Sequence, residues 1–110
     1  MEAITAKVLT AKLKDYQKKC VILDVRNPEE FDEEKIEGAI NIPLGDLKDH
    51  LKDLKKDKEI ILICLSGMRA QRAANILEAN GYKCRILTQG MIGWRKEHPP
   101  VYQEMEGGEE

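Results

Sequence analysis

Hydrophobic and polar positions alternate between two rhythms along this chain. Short continuous apolar runs, "CVILDV" (20–25) and "EIILIC" (59–64), read as strands covered on both faces. "AKVL" (6–9), "GAINIP" (38–43, ended by Pro43) and "KCRIL" (83–87) read as weaker strands. Between them the spacing turns helical. Thr10 is a candidate N-cap for "AKLKDYQKK", in which Leu13 and Tyr16 share a face. "NPEEFDEE" pairs Asn27 as a cap with Pro28 in the first helical position and acids in the first turn. Leu44, Leu47, Leu51 and Leu54 form one apolar stripe. "RAQRAANILEAN" sets Ala70, Ala73, Ala74 and Leu77 on one face and ends where Gly81 suits a left-handed cap. "MIGWRKE" predicts a short last helix, and Trp94 and Tyr82 are expected in the core.

Strands alternating with helices predict an α/β fold, a parallel sheet with helices on both faces. One domain over residues 1–102 fits the length of 110 residues, and the acidic "QEMEGGEE" (103–110) predicts a disordered tail.

Composition narrows the function. A formal net charge of −2 argues against nucleic acid as a partner, which demands a basic excess. No apolar run approaches the roughly 20 residues that span a membrane, so a cytoplasmic location is expected. Cys20, Cys64 and Cys84 are too scattered for a zinc spacing, and His50 and His98 stand apart, so no metal is expected. Free thiols are the expectation in a reducing compartment. Cys20 and Cys84 read as packing residues.

Cys64 differs by context. It ends a buried strand and is followed by "LSGMR" and a helix. In parallel sheets such strand ends gather ligands. Gly67 lets the loop curl so that backbone N–H groups converge, and the helix adds about half a positive charge. Such a nest favours negative charge on sulfur, and a thiolate is a competent nucleophile. Leu65, Ser66, Gly67, Met68 and Arg69 are therefore the candidate binding residues around catalytic Cys64. Arg69 is a cation at a helix N-terminus, which an anionic partner would explain. Asp24 and Arg26, opposite charges at the end of a buried run, read as a structural pair, with Arg26 a candidate for the pocket border.

From about residue 9 to 101 the chain resembles a single-domain rhodanese, a thiosulfate sulfurtransferase type of module. The resemblance rests on "VILDVRNPEEF", "IEGAINIPL", "ICLSGMRA", "NGYKCRILTQGMIGW" and "PPV", in that order. It implies a five-stranded parallel sheet. It also implies that Cys64 accepts the outer sulfur of thiosulfate or a persulfide and passes it to a thiol, a partner protein or cyanide. No cofactor is implied, because the sulfur rides on the protein. Glu34-Lys35-Ile36 stands where the family often has Gly-His-Ile, and Gln89-Gly90 where a Gly-Gly pair is common. Leu65 and Met68 give an uncharged rim, which leaves the donor open.

Two other readings compete. Phosphatases and arsenate reductases use similar loops with five residues between Cys and Arg, whereas four intervene here. The shorter loop suits one sulfur atom better than a tetrahedral oxyanion. A sulfur-carrier or protein-binding module with little turnover is the non-enzymatic alternative.

Overall fold

A computed structural model describes residues 2–99. The proposed tail, Pro100 and Val101 lie outside the described residues. The strands are β1 (Glu2–Ile4), β2 (Cys20–Asp24), β3 (Ile40–Asn41), β4 (Glu59–Ile63) and β5 (Cys84–Leu87). The helices are α1 (Ala6–Ala11), α2 (Leu13–Lys19), α3 (Pro28–Glu33), α4 (Met68–Ala79) and α5 (Gly90–Glu97), with a 3₁₀ helix over Leu44–Asp53. The five strands form one parallel sheet in the order β1-β5-β4-β2-β3. No helix among the described residues is long and apolar enough to cross a membrane.

Period-two alternation on β4 builds two cores. Ile60, Leu62 and Cys64 face the side covered by α4 and the 3₁₀ helix, where Ala70, Ala73, Ala74 and Leu77 are fully buried. Ile61 and Ile63 face α1 and α5, meeting Leu9, Met91 and Trp94. The alanines let α4 lie close beneath β4, the strand that carries Cys64. Gly81, at φ +88°, ends α4 in the left-handed conformation expected of it. Tyr82 is buried, with its hydroxyl donating toward the carbonyls of Leu51 (2.6 Å) and Leu54 (2.9 Å).

Three local expectations are corrected or refined. "AKVL" is not a strand: residues 6–9 belong to α1, and the strand lies earlier, at Glu2–Ile4, beside β5. Ala6 and Leu9 are buried while Lys7 and Val8 are exposed, which is helical spacing. The N-cap is therefore Thr5, whose Oγ1 accepts from the Val8 N–H at 3.2 Å, and Thr10 sits inside α1. The leucine stripe faces the core through Leu47 and Leu54, with Leu44 and Leu51 packed alongside, but in 3₁₀ form. Its steps from Leu44 to Leu47 and from Leu51 to Leu54 are each one three-residue turn.

Candidate active site

Cys64 follows the last residue of β4, so a fully buried strand sets the position of its Cα. The chain then curls through Leu65 and Ser66 to Gly67, which caps α4 with φ +108°, a conformation glycine adopts without a Cβ penalty. That curl turns the backbone back toward the sulfur. The Cys64 Sγ accepts hydrogen bonds from the N–H of Gly67 (2.9 Å) and of Ala70 (3.3 Å). The first-turn N–H groups of a helix lack intrahelical partners, and here the sulfur takes one of them. Two donors on one sulfur, at a helix N-terminus, stabilise negative charge there.

Ser66 and Met68 are exposed, Met68 at 76%, and Leu65 is half-buried; Cys64 itself is only 1% exposed. The sulfur is thus at the floor of the loop, and an incoming group must be slim. Of the loop residues expected to bind, the structure sets the Gly67 N–H on the sulfur. Ala70, beyond the loop residues singled out by the sequence, supplies the second donor.

The loop's carbonyls are held from the opposite side. Met91 N–H donates to Cys64 O (2.8 Å) and Ile92 N–H to Leu65 O (3.1 Å), both from the first turn of α5. This contact needs Gly90: a Cβ there would fall 2.2 Å from Cys64 O and 2.7 Å from Leu65 O. Gln89, just before Gly90, adopts φ +61°. The Gln89-Gly90 step thus clamps the Cys64 loop, a role its position after the last strand did not announce.

Arg69 does not reach out to solvent as a spare cation. Its guanidinium makes a two-pronged ion pair with Glu30, Nη1 to Oε1 at 2.7 Å and Nη2 to Oε2 at 3.0 Å. Glu30 is the third residue of α3 and also accepts from the Asn27 N–H at 3.0 Å, as the cap signal "NPEE" suggests. The hydrogen bonds from Arg69 hold the Glu30 carboxyl down at about 2, and the partner guanidinium is shifted up. The anionic partner expected for Arg69 is thus within the protein.

Asp24 and Arg26 form the expected structural pair, 0% and 2% exposed. Arg26 Nε lies 3.0 and 3.1 Å from the two carboxylate oxygens and Nη2 2.8 Å from Oδ2, while the Arg26 N–H also donates to Oδ1. Arg26 Nη2 also donates to the Glu34 carbonyl. Asn41 ties β3 to the same turn through the carbonyls of Asp24 and Arg26, both at 2.9 Å. Arg26 does border a cleft, of about 610 Å³, together with Glu30, Glu33, Glu34, Leu65 and Arg95.

Cys20 and Cys84 are buried in opposite cores, as packing residues should be. Burial pushes the Cys84 thiol up to about 11, with Glu78 and Glu59 adding to the shift. Burial, then Glu59, raises Cys20 as well. His50 is exposed beside Asp53, and His98 stacks on Trp94 at 3.9 Å between ring centres.

Against known proteins, the sequence profile of the rhodanese-like domain matches residues 5–97. The chain is 35% identical over 96 residues to YtwF of Bacillus subtilis, named as a candidate sulfurtransferase, covering 84% of this chain and 93% of YtwF. It is 39% identical over 74 residues to YrkF of the same organism, named as a candidate sulfur carrier protein, covering 66% of this chain but 40% of YrkF. The structure superposes on a rhodanese-related protein of Thermoplasma volcanium with a TM-score of 0.81 and 31% identity, over 93% of this chain and 98% of that one.

Proposed function

The chain belongs to the rhodanese-like domain family, and on that premise we propose that it is a sulfurtransferase whose nucleophile is Cys64. The Cys64 thiolate attacks the outer sulfur of thiosulfate or of a persulfide. A sulfur–sulfur bond forms to Cys64 while the donor's own sulfur–sulfur bond breaks, and the electron pair leaves with sulfite or with a thiolate. An acceptor nucleophile, a thiol, a partner protein or cyanide, then takes the terminal sulfur and releases Cys64 as thiolate. Charge and atoms balance in both steps, and neither needs an oxidant.

The observation that carries this reading is the pair of N–H groups at 2.9 and 3.3 Å on a sulfur at the end of a buried strand. Those donors suit an anionic sulfur before attack and the terminal sulfur of a persulfide after it. Leu65 borders the cleft and Ser66 and Met68 are the exposed residues of the loop that an incoming donor meets, while the Gly67 and Ala70 N–H groups hold the charge. Arg69 shapes the loop through Glu30. The near-complete burial of Cys64 matches a single sulfur atom better than a tetrahedral phosphate.

Intact mass spectrometry after incubation with thiosulfate or a persulfide, beside a Cys64→Ser variant, tests the proposal. Gain of one sulfur atom by the parent and not by the variant is expected. An unmodified parent with every sulfane donor, or turnover of an aryl phosphate without persulfide, would defeat it. A carrier role is the second reading, favoured by the similarity to YrkF. It predicts the same persulfide but release only to a protein acceptor.

A further inference from the structure

Every arginine around the cleft beside Cys64 is matched to a carboxylate among the described residues. Arg26 is paired with Asp24, Arg69 with Glu30 and Arg95 with Glu34, at 2.8, 2.7 and 2.7 Å. Glu33 adds an exposed carboxylate to the same cleft. The attraction left for an anionic donor therefore comes from backbone N–H groups, which act over one contact and not at a distance.

Arg69 is the cation best placed to change this. It stands in the first turn of α4, directly before Ala70, whose N–H donates to the Cys64 sulfur, and it is two-thirds buried. Glu30 takes both terminal nitrogens of its guanidinium. We infer that Glu30 is a specificity-determining residue: by neutralising Arg69 it turns Cys64 away from dianions such as thiosulfate and toward sulfane donors of lower charge. The inference rests on the reading of Cys64 as the sulfur-accepting nucleophile, and it adds a residue that selects the donor class without touching the reacting atoms.

Glu30→Gln removes the charge and keeps the shape. The amide oxygen can still accept from the Asn27 N–H, so α3 retains its cap. Arg69 then becomes an uncompensated cation near the sulfur. Partial screening near the surface sets the expected gain at about threefold per unit of negative charge on the incoming reagent, hence about tenfold for a dianion. Coulomb energy scales with charge, so the second figure is the square of the first.

Two pairs of reagents read this effect. Thiosulfate and the methanethiosulfonate anion donate the same outer sulfur and differ by one charge. Iodoacetate and iodoacetamide alkylate the same thiol and also differ by one charge. In Glu30→Gln both rate ratios, more charged over less charged, should rise about threefold, and added salt should shrink the rise. The double variant Glu30→Gln with Arg69→Gln should return both ratios to the parent value. Ratios that do not move in Glu30→Gln, or that stay raised in the double variant, overturn the inference. So does a Cys64 inert to both alkylating reagents, because selection presupposes access. The alkylation pair needs no sulfur transfer. If no donor yields a persulfide while that ratio still moves, the sulfurtransferase reading fails and the charge effect of Glu30 stands.

Discussion

Gly90 offers the most direct test of how the Cys64 loop is held. An alanine there would bring its Cβ to 2.2 Å from Cys64 O and 2.7 Å from Leu65 O, and both obstacles are backbone. Neither can swing aside as a side-chain tip would. The first turn of α5 must therefore retreat by about 1 Å to reach ordinary contact. That retreat breaks or lengthens the Met91 to Cys64 and Ile92 to Leu65 hydrogen bonds, now 2.8 and 3.1 Å. Two backbone bonds are worth about 1 kcal/mol each net, and alanine at a positive φ costs about 1–2 kcal/mol more. With residual overlap the total is about 3–5 kcal/mol, a large share of the stability of a small domain. Gly67→Ala is the matched control. Its φ is also positive, but a Cβ there meets nothing within 4 Å, so only the backbone term of about 1–2 kcal/mol applies. Equilibrium denaturation, followed by far-ultraviolet circular dichroism and by the fluorescence of Trp94, the chain's one tryptophan and a resident of α5, measures both variants. Gly90→Ala should be the more destabilised by about 2 kcal/mol or more. If the two variants unfold at the same denaturant concentration, α5 does not clamp the loop as described.

The buried pair and the surface pair make contrasting predictions. Asp24→Asn should cost about 3 kcal/mol or more, because it leaves the Arg26 guanidinium, 2% exposed, without a counter-charge; a loss under about 1 kcal/mol in denaturation would show that the pair does not anchor this turn. For Glu30, Arg69 lowers the carboxyl from an ordinary value of 4.5 to about 2, so folding favours the ionised form. Its contribution, on the order of 1 kcal/mol after solvent screening, is present above pH 4.5 or so and is lost as pH falls toward about 2. The stability gap between the parent and Glu30→Gln should accordingly close across that window, and a gap that ignores pH would refute the pairing as the cause.

Much of the fold was legible because its signals are local. β2 and β4 are continuous apolar runs, and period-two alternation splits β4 between two cores. The alanine face of α4, the Asn27-Pro28 start of α3 and the glycine at the end of α4 each depend on a few neighbouring residues. The shape of the Cys64 loop was legible for the same reason: strand, Cys64, Gly67 and helix follow one another, and their geometry needs little else. Asp24 and Arg26 meet within a single turn, so their pairing could be read as well. The first strand is ambiguous in sequence because "AKVL" is apolar enough for either period, and Thr5 and Thr10 both carry a capping hydroxyl. Burial of Ala6 and Leu9 on one face decides it, and burial depends on where α5 lies.

What only the tertiary structure decided is the company Cys64 keeps. Glu30 and Arg69 are 39 residues apart, and Gly90 meets carbonyls from a loop more than twenty positions earlier. The order β1-β5-β4-β2-β3 brings α3 and α5 to the two sides of the strand that leads into Cys64. A sequence shows which residues can form an ion pair or accept a close backbone. Which of them do is set by strand pairings between distant segments, and these follow from burying both faces of the sheet together.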